Sequence, residues 1–138
     1  MRRVYVDTGA FIAVIWQRDR DHERVTAAFR QLRAGGGLLV TSEAVVSETA
    51  TRLRYDAGLP TVAAFRSVLD RAEAQRSLRV RPTDAGLRGA AFDVMDRYAD
   101  LRLSFADAVG AAVARDERVD AVLALDDDFR ALGFSVEP

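Results

Sequence analysis

Four short apolar runs recur along the chain, RVYV (3–6), LLV (38–40), SLRV (77–80) and DAVLAL (120–125), and helix-like stretches separate them. Runs this short, with little polar alternation, suit strands covered on both faces of a parallel sheet. Parallel neighbours cannot be joined by a hairpin; each needs a crossover of a dozen residues or more, usually a helix. The pattern therefore predicts an α/β fold with a central, mostly parallel sheet. FSV (134–136) adds a last, short strand. With 138 residues, 49 % of them apolar, the chain can bury one core, and residues 1–138 are expected to form a single domain.

The segments between the runs carry their own start and stop signals. GAFIAVIW is apolar enough for a short helix, and Val25, Ala28, Phe29 and Leu32 form a helical stripe that the glycines at 35–37 end. Ser42 suits the N-cap of a helix running to about Asp56, which Gly58 terminates, and Pro60 opens the next, PTVAAFRSVLDRAEAQR. After Pro82 a helix over roughly 84–100 carries Leu87, Ala90, Ala91, Val94, Met95 and Tyr98 on one face. Ser104 caps FADAVGAAVARDE, and DDDFRALG reads as a short helix or turn.

The first strand ends in VDTGA, the phrase that carries the catalytic aspartate of pepsin-like and retroviral proteases. An aspartic protease is nearly all strand, however, and needs a second such aspartate to share one proton. Here alanine-rich helices follow and no second copy exists, so only a homodimer could supply the partner. The absence of cysteine excludes disulfides, thiolate zinc sites and thiol nucleophiles. No apolar run approaches the ~18 residues of a membrane span, and VYV gives way to Asp7 too soon for a signal-peptide core. No membrane association and a cytoplasmic location are expected. Net charge is −1, so the chain as a whole is not a polycation, but every one of its 20 basic residues is arginine. A GC-rich coding bias explains that choice most simply, although arginine also suits bidentate phosphate contacts.

In parallel α/β sheets, sites form beyond the carboxyl ends of the strands. Asp7 follows VYV there, and Asp126 follows AVLAL with Asp127 and Asp128 beside it. Glu48 lies in the helix after LLV, and Asp107 one turn into the helix before the last long strand. Two carboxylates ~5 Å apart repel by roughly 3 kcal/mol at an effective dielectric of 20. A divalent cation reverses that cost, and oxygen ligands select Mg²⁺ or Mn²⁺ over zinc. A water on such a cation can attack a phosphodiester. Each acid alone has a plainer reading: Asp7 as a helix cap, Glu48 paired with Arg52 at i,i+4, Asp107 in a capping box with Ser104, the DDD triplet as a solvated turn. Their joint placement is the stronger signal.

Four phrases, VYVDTGAFIAV, VTSEAVVSETATRL, LSFADAVGAAVA and VLALDDDFRALGF, together resemble a PIN-domain ribonuclease, in particular the VapC toxins of type II toxin–antitoxin pairs. They fall in the family's order along the whole chain. The resemblance implies an α/β/α sandwich with an acidic pocket whose metal-site acids are Asp7, Glu48, Asp107 and Asp126, with Asp128 as an additional one. It places Thr8 where a hydroxyl can bond a metal-bound water or phosphate. The activity implied is Mg²⁺- or Mn²⁺-dependent endonucleolytic cleavage of RNA leaving a 5′-phosphate, and the partners implied are an antitoxin and a second copy of the chain. Asp7 and Asp107 are expected to ligate the metal directly, with Glu48 and Asp126 acting through water or a second ion.

RNA must approach these acids, so flanking arginines are expected to hold phosphates: Arg52, Arg54 and Arg102. Their alternative is ordinary solvated surface. His22 is expected to face solvent, and Trp16 to join the core. The SEAVVSETATRLRYDAGLPTVAAF region is expected to be a helix pair on which an antitoxin or second protomer packs. A nuclease outside any toxin system and a non-catalytic interaction protein are the remaining readings. A phosphoacceptor receiver domain needs an acidic pair after its first strand and a late lysine, and this chain has neither.

Overall fold

All five apolar runs become strands in the computed structural model, which describes residues 1–138: β1 (Arg3–Val6), β2 (Leu38–Ser42), β3 (Leu78–Arg81), β4 (Ala121–Leu123) and β5 (Val136–Glu137). They lie in the order β3-β2-β1-β4-β5, and every pairing is parallel. Seven helices connect them: α1 (Thr8–Ile15), α2 (His22–Ala34), α3 (Glu43–Asp56), α4 (Leu59–Ala74), α5 (Ala85–Arg97), α6 (Phe105–Asp116) and α7 (Asp128–Ala131). The architecture is an α/β/α sandwich. From β1 the chain builds outward to β2 and β3, then returns to β1's other side for β4 and β5. The reversal places a topological switch point between β1 and β4, where crevices open in sheets of this kind.

Strand boundaries moved for identifiable reasons. β2 runs on to Ser42 because β3 continues to pair with it there, Ser42 opposite Arg81. β4 stops at Leu123, short of the expected Leu125, because its neighbours end: Val6 and Glu137 are the last residues opposite Leu123. β5 starts at Val136 rather than Phe134, because the Phe134 N–H donates to the Phe129 carbonyl and closes the turn after α7. α5 spans 85–97 rather than 84–100: Asp84 is its cap, accepting from the Leu87 N–H at 2.9 Å, and Tyr98 leaves helical geometry.

Helix ends follow the expected chemistry elsewhere. The Ser42 hydroxyl accepts from the Val45 N–H at the start of α3. Gly36 and Gly58 adopt φ of 70° and 95°, a region that favours glycine, at the turns that close α2 and open α4. α1 packs against α2, α3 and α4, while α5 packs against α6. Trp16 is half-buried against the core, as expected. His22 is not free in solvent: it is half-buried, with Nδ1 2.7 Å from the Ala13 carbonyl oxygen, because the turn between α1 and α2 folds it back onto α1. No helix is long and apolar enough to cross a membrane.

One ion cluster ties α6 to strands β1 and β3. Glu117, at the end of α6, is 6 % exposed. It accepts from Arg79 and Arg81 of β3 at 2.7 Å each, with Arg3 of β1 at 3.8 Å. Burial alone would raise its pKa, but the Arg81 and Arg79 hydrogen bonds outweigh it and hold the carboxyl below the usual glutamate range. Three elements distant in sequence are thereby tied together.

Candidate active site

Asp7 is the first residue past β1, and its N–H donates to the Leu123 carbonyl of β4, so it stands at the switch point itself. Its backbone is extended and occupies the N-cap position of α1, yet its side chain makes no capping bond. The capping explanation for Asp7 therefore fails. The carboxyl is 7 % exposed, and its pKa is pushed up to about 7. Burial is the main cause; the Thr8 backbone N–H opposes it, and the charges of Asp107, Asp126 and Glu48 add to it. Those three acids come from three different elements and lie close enough for Asp7 to feel each of them.

Asp107 reaches the rim through the turn that starts α6. Ser104 Oγ accepts from the Asp107 N–H at 3.0 Å, and Asp107 Oδ2 accepts from the Ser104 N–H at 3.1 Å. This is a capping box, so the plain reading of Asp107 holds in full. It leaves Oδ1 uncommitted. The same bond orients the carboxylate before any ligand arrives. Asp126 sits beyond β4, where its Oδ1 accepts from the Asp128 N–H at 3.2 Å. Asp127 is taken by Arg130 at 2.7 Å and is a surface pair. Asp128 is half-buried, and its pKa is raised by burial first and then by Asp126, Asp107 and Asp127. Asp128 is thus within reach of Asp126 and Asp107, whereas Asp127 is engaged by Arg130.

Glu48 is half-buried on α3, with Arg52 at 4.0 Å on the next turn. That ion pair was its plain reading, and it coexists with the pull on Asp7. Arg54 is six residues from Glu48, about 120° around the helix at 3.6 residues per turn, so it faces elsewhere. Arg102 is exposed two residues before Ser104 and makes no ion pair. Of the three arginines expected near the acids, Arg52 is engaged, Arg54 is turned aside, and Arg102 is free.

The acids do not form a closed ligand set, since no three of them make a ready metal-holding group. The donors nevertheless suit a hard cation. Asp7 is a buried carboxylate without a capping partner, and the Thr8 hydroxyl beside it is buried without any hydrogen-bond partner. An unpartnered buried oxygen such as the Thr8 hydroxyl is costly. All the donors are oxygens, the chemistry of Mg²⁺ or Mn²⁺, and Mg²⁺ takes few protein carboxylates and keeps several waters. A cavity of about 620 Å³ lies elsewhere, lined by Arg81, Asp84, Asp93, Arg97 and Arg115 and by none of the acids.

What positions the acids was not legible from motifs. The Tyr5 ring, two residues before Asp7, is fully buried with its hydroxyl 3.0 Å from Ser42 Oγ, the cap of α3. It also meets Gly110 of α6 and packs against Phe129 of α7, ring centroids 5.9 Å apart. The helices carrying Glu48 and Asp107 and the segment carrying Asp126 and Asp128 therefore all rest on one side chain. The available signal was Gly110, a glycine inside an otherwise alanine-rich helix, which marks a close approach.

Comparison with known proteins agrees with this architecture. A family model described as "PIN domain" matches residues 4–135. No curated protein sequence matches. Among solved structures, Mycobacterium tuberculosis VapC20, described as a sarcin-ricin loop cleaving toxin, superposes with a TM-score of 0.80 at 27 % identity, covering 95 % of each chain. VapBC2 from Rickettsia felis, bound to a DNA fragment from its promoter, gives 0.73 at 11 % identity over 98 % of this chain and 97 % of that one. FitAcB from Neisseria gonorrhoeae gives 0.62 at 20 % identity, over 98 % and 96 %. At their low identities, the last two speak for the fold alone.

Proposed function

This chain belongs to the PIN domain family, and on that footing we propose that it is a metal-dependent endoribonuclease serving as the toxin of a toxin–antitoxin pair. The observation that carries the reading is Asp7, a buried carboxyl at the switch point whose ionisation is opposed by Asp107, Asp126 and Glu48. A group so placed is a cost to the fold unless a cation joins it. Asp7 and Asp107 would hold Mg²⁺ or Mn²⁺ directly, with Glu48, Asp126 and Asp128 completing the pocket. The cation would supply Lewis-acid polarisation of the phosphodiester and of water.

The chain's own residues supply orientation. Ser104 fixes the Asp107 carboxylate, and the Asp128 N–H fixes that of Asp126. The unpartnered Thr8 hydroxyl is free to donate to a phosphate oxygen. Glu48, half-exposed and within reach of Arg52, is suited to accept a proton from attacking water. The expected products carry a 5′-phosphate.

An antitoxin would cover apolar surface on α3 and α4, where Tyr55, Leu59 and Val68 are exposed. A second copy of the chain is the other protein partner we assign. Because VapC20 is described as cleaving the sarcin-ricin loop, a ribosomal RNA hairpin is the first substrate to offer. The test incubates purified protein with total RNA in Mg²⁺, in Mn²⁺ or in EDTA and maps the fragment ends. Discrete cuts that need the metal and vanish in Asp7→Asn support the reading. Cleavage that survives in a clean Asp7→Asn preparation removes Asp7 from the mechanism, and no cutting with either metal leaves a PIN fold used for binding.

A further inference from the structure

We propose that Phe92 and Phe105 form a stacking shelf for a nucleobase at the edge of the acidic site, so that RNA is gripped beside the phosphate it presents there. The inference rests on the nuclease reading above. Phe105 is the first residue of α6 and lies two positions before Asp107; Phe92 comes from α5. Their ring centroids are 5.1 Å apart with the planes at 47°. The other five phenylalanines are buried or half-buried, whereas Phe92 is 53 % exposed and Phe105 37 %. The fold leaves these two rings in contact with each other and open to solvent.

Three features favour a base as the occupant. Phe105 belongs to the same capping turn that holds Asp107, so its backbone is fixed relative to that acid, and its ring rests against Phe92. Arg88, four residues before Phe92 on α5, and Arg102, three before Phe105, are both exposed and make no ion pair. Unpaired guanidinium groups beside open aromatic rings match a single-stranded backbone with unstacked bases, since every base offers a π-face to an aromatic ring. The apolar surface suited to a protein partner lies on other helices, at Tyr55, Leu59 and Val68.

The probe is a short fluorescent single-stranded RNA, offered with all its bases or with one abasic position. Affinity is read by anisotropy on an Asp7→Asn background, where cleavage does not interfere. Phe92→Leu/Phe105→Leu keeps apolar bulk and removes the stackable rings. It is expected to weaken binding roughly 10- to 100-fold, and tyrosine at both positions to restore it. One abasic position should weaken the parent protein and leave the leucine variant unaffected. On the cleaving background the change should appear in KM with kcat little altered. Equal affinity of the leucine variant, or the same abasic penalty with and without the rings, overturns the shelf. So does a leucine variant that loses self-association or antitoxin binding while holding RNA normally. A wild-type chain that binds RNA through these rings but never cuts it defeats the nuclease reading and leaves the shelf standing.

Discussion

A Cβ atom added to Gly110 would lie 2.8 Å from the Tyr5 hydroxyl and 3.1 Å from the Phe129 ring. Both neighbours are fully buried, so neither can swing away. Gly110→Ala should therefore destabilise the protein by about 1–3 kcal/mol through overpacking, although alanine favours a helix by up to ~1 kcal/mol over glycine. Tyr5→Phe in the same chain should recover part of that loss by removing the nearest atom. Urea denaturation of the two single variants and the double variant measures it; strict additivity would mean that the two residues do not share this space.

Asp7→Asn should raise the melting temperature of the metal-free protein at neutral pH. The folded-state pKa, about 7, lies above the ordinary aspartate value. Asp7 therefore takes nothing from the stability below pH ~4 and subtracts from it as pH rises toward 7, because only the unfolded chain releases the proton easily. Asparagine removes that loss, so the two proteins should differ most near pH 7.5 and converge near pH 4. A variant that melts lower at pH 7.5 without metal contradicts this electrostatic account.

Added Mn²⁺ or Mg²⁺ should stabilise the wild-type chain by mass action, about 2.7 kcal/mol at a hundredfold excess over the dissociation constant. Thermal melts with metal and with EDTA read the effect without any RNA. In Asp7→Asn the shift should shrink or vanish. An equal shift in both proteins would place the cation elsewhere.

Ser104→Ala should cost about 1 kcal/mol of stability through loss of the cap. It should also lower cleavage, because Asp107 loses the turn that orients it. Ser104→Asp, another good cap, should restore stability but put a further negative charge beside Asp107. If both variants cut RNA as fast as wild type, the capping turn has no part in the site.

Glu117→Gln should weaken the fold, since Arg79 and Arg81 lose their charged partner. Breaking a buried pair costs ~3–5 kcal/mol, but these arginines are partly exposed, so about 1–2 kcal/mol is expected. The carboxyl titrates below its usual range when folded, so its contribution is present at neutral pH and is lost as pH falls through that depressed value. Acid titrations of stability should therefore be shallower in the variant than in wild type.

The alternation of apolar runs and helical stripes made the sheet, its parallel sense and the helix caps at Ser42 and Ser104 legible in the sequence. Hydrogen-bond partners set the strand ends instead, which is why β4 stopped at Leu123 and β5 began at Val136. Among the acids, position beyond a strand singled out Asp7 and Asp126 and position one turn into a helix singled out Asp107, whose capping box was legible as its plainer reading. The Glu117 cluster was invisible, because its members lie on β1, β3 and α6 and no spacing links them. Sequence proximity grouped Arg54 with Arg52, although six helical residues set it about 120° around α3 from Glu48. The exposure of Phe92 and Phe105 could not be foreseen either, since an aromatic residue in an amphipathic segment ordinarily belongs inside.

β1 is the first strand made and β4 almost the last, yet the two are hydrogen-bonded neighbours, and Asp7 stands where they meet. A chain still emerging from the ribosome has Asp7 and Glu48 long before it has Asp126. Until residues 121–128 are synthesised, the first strand lacks one of its two neighbours, and Asp126 and Asp128 are missing from the group. The order of the strands thus makes this corner of the sheet, which the first strand begins, one of the last places that folding can complete.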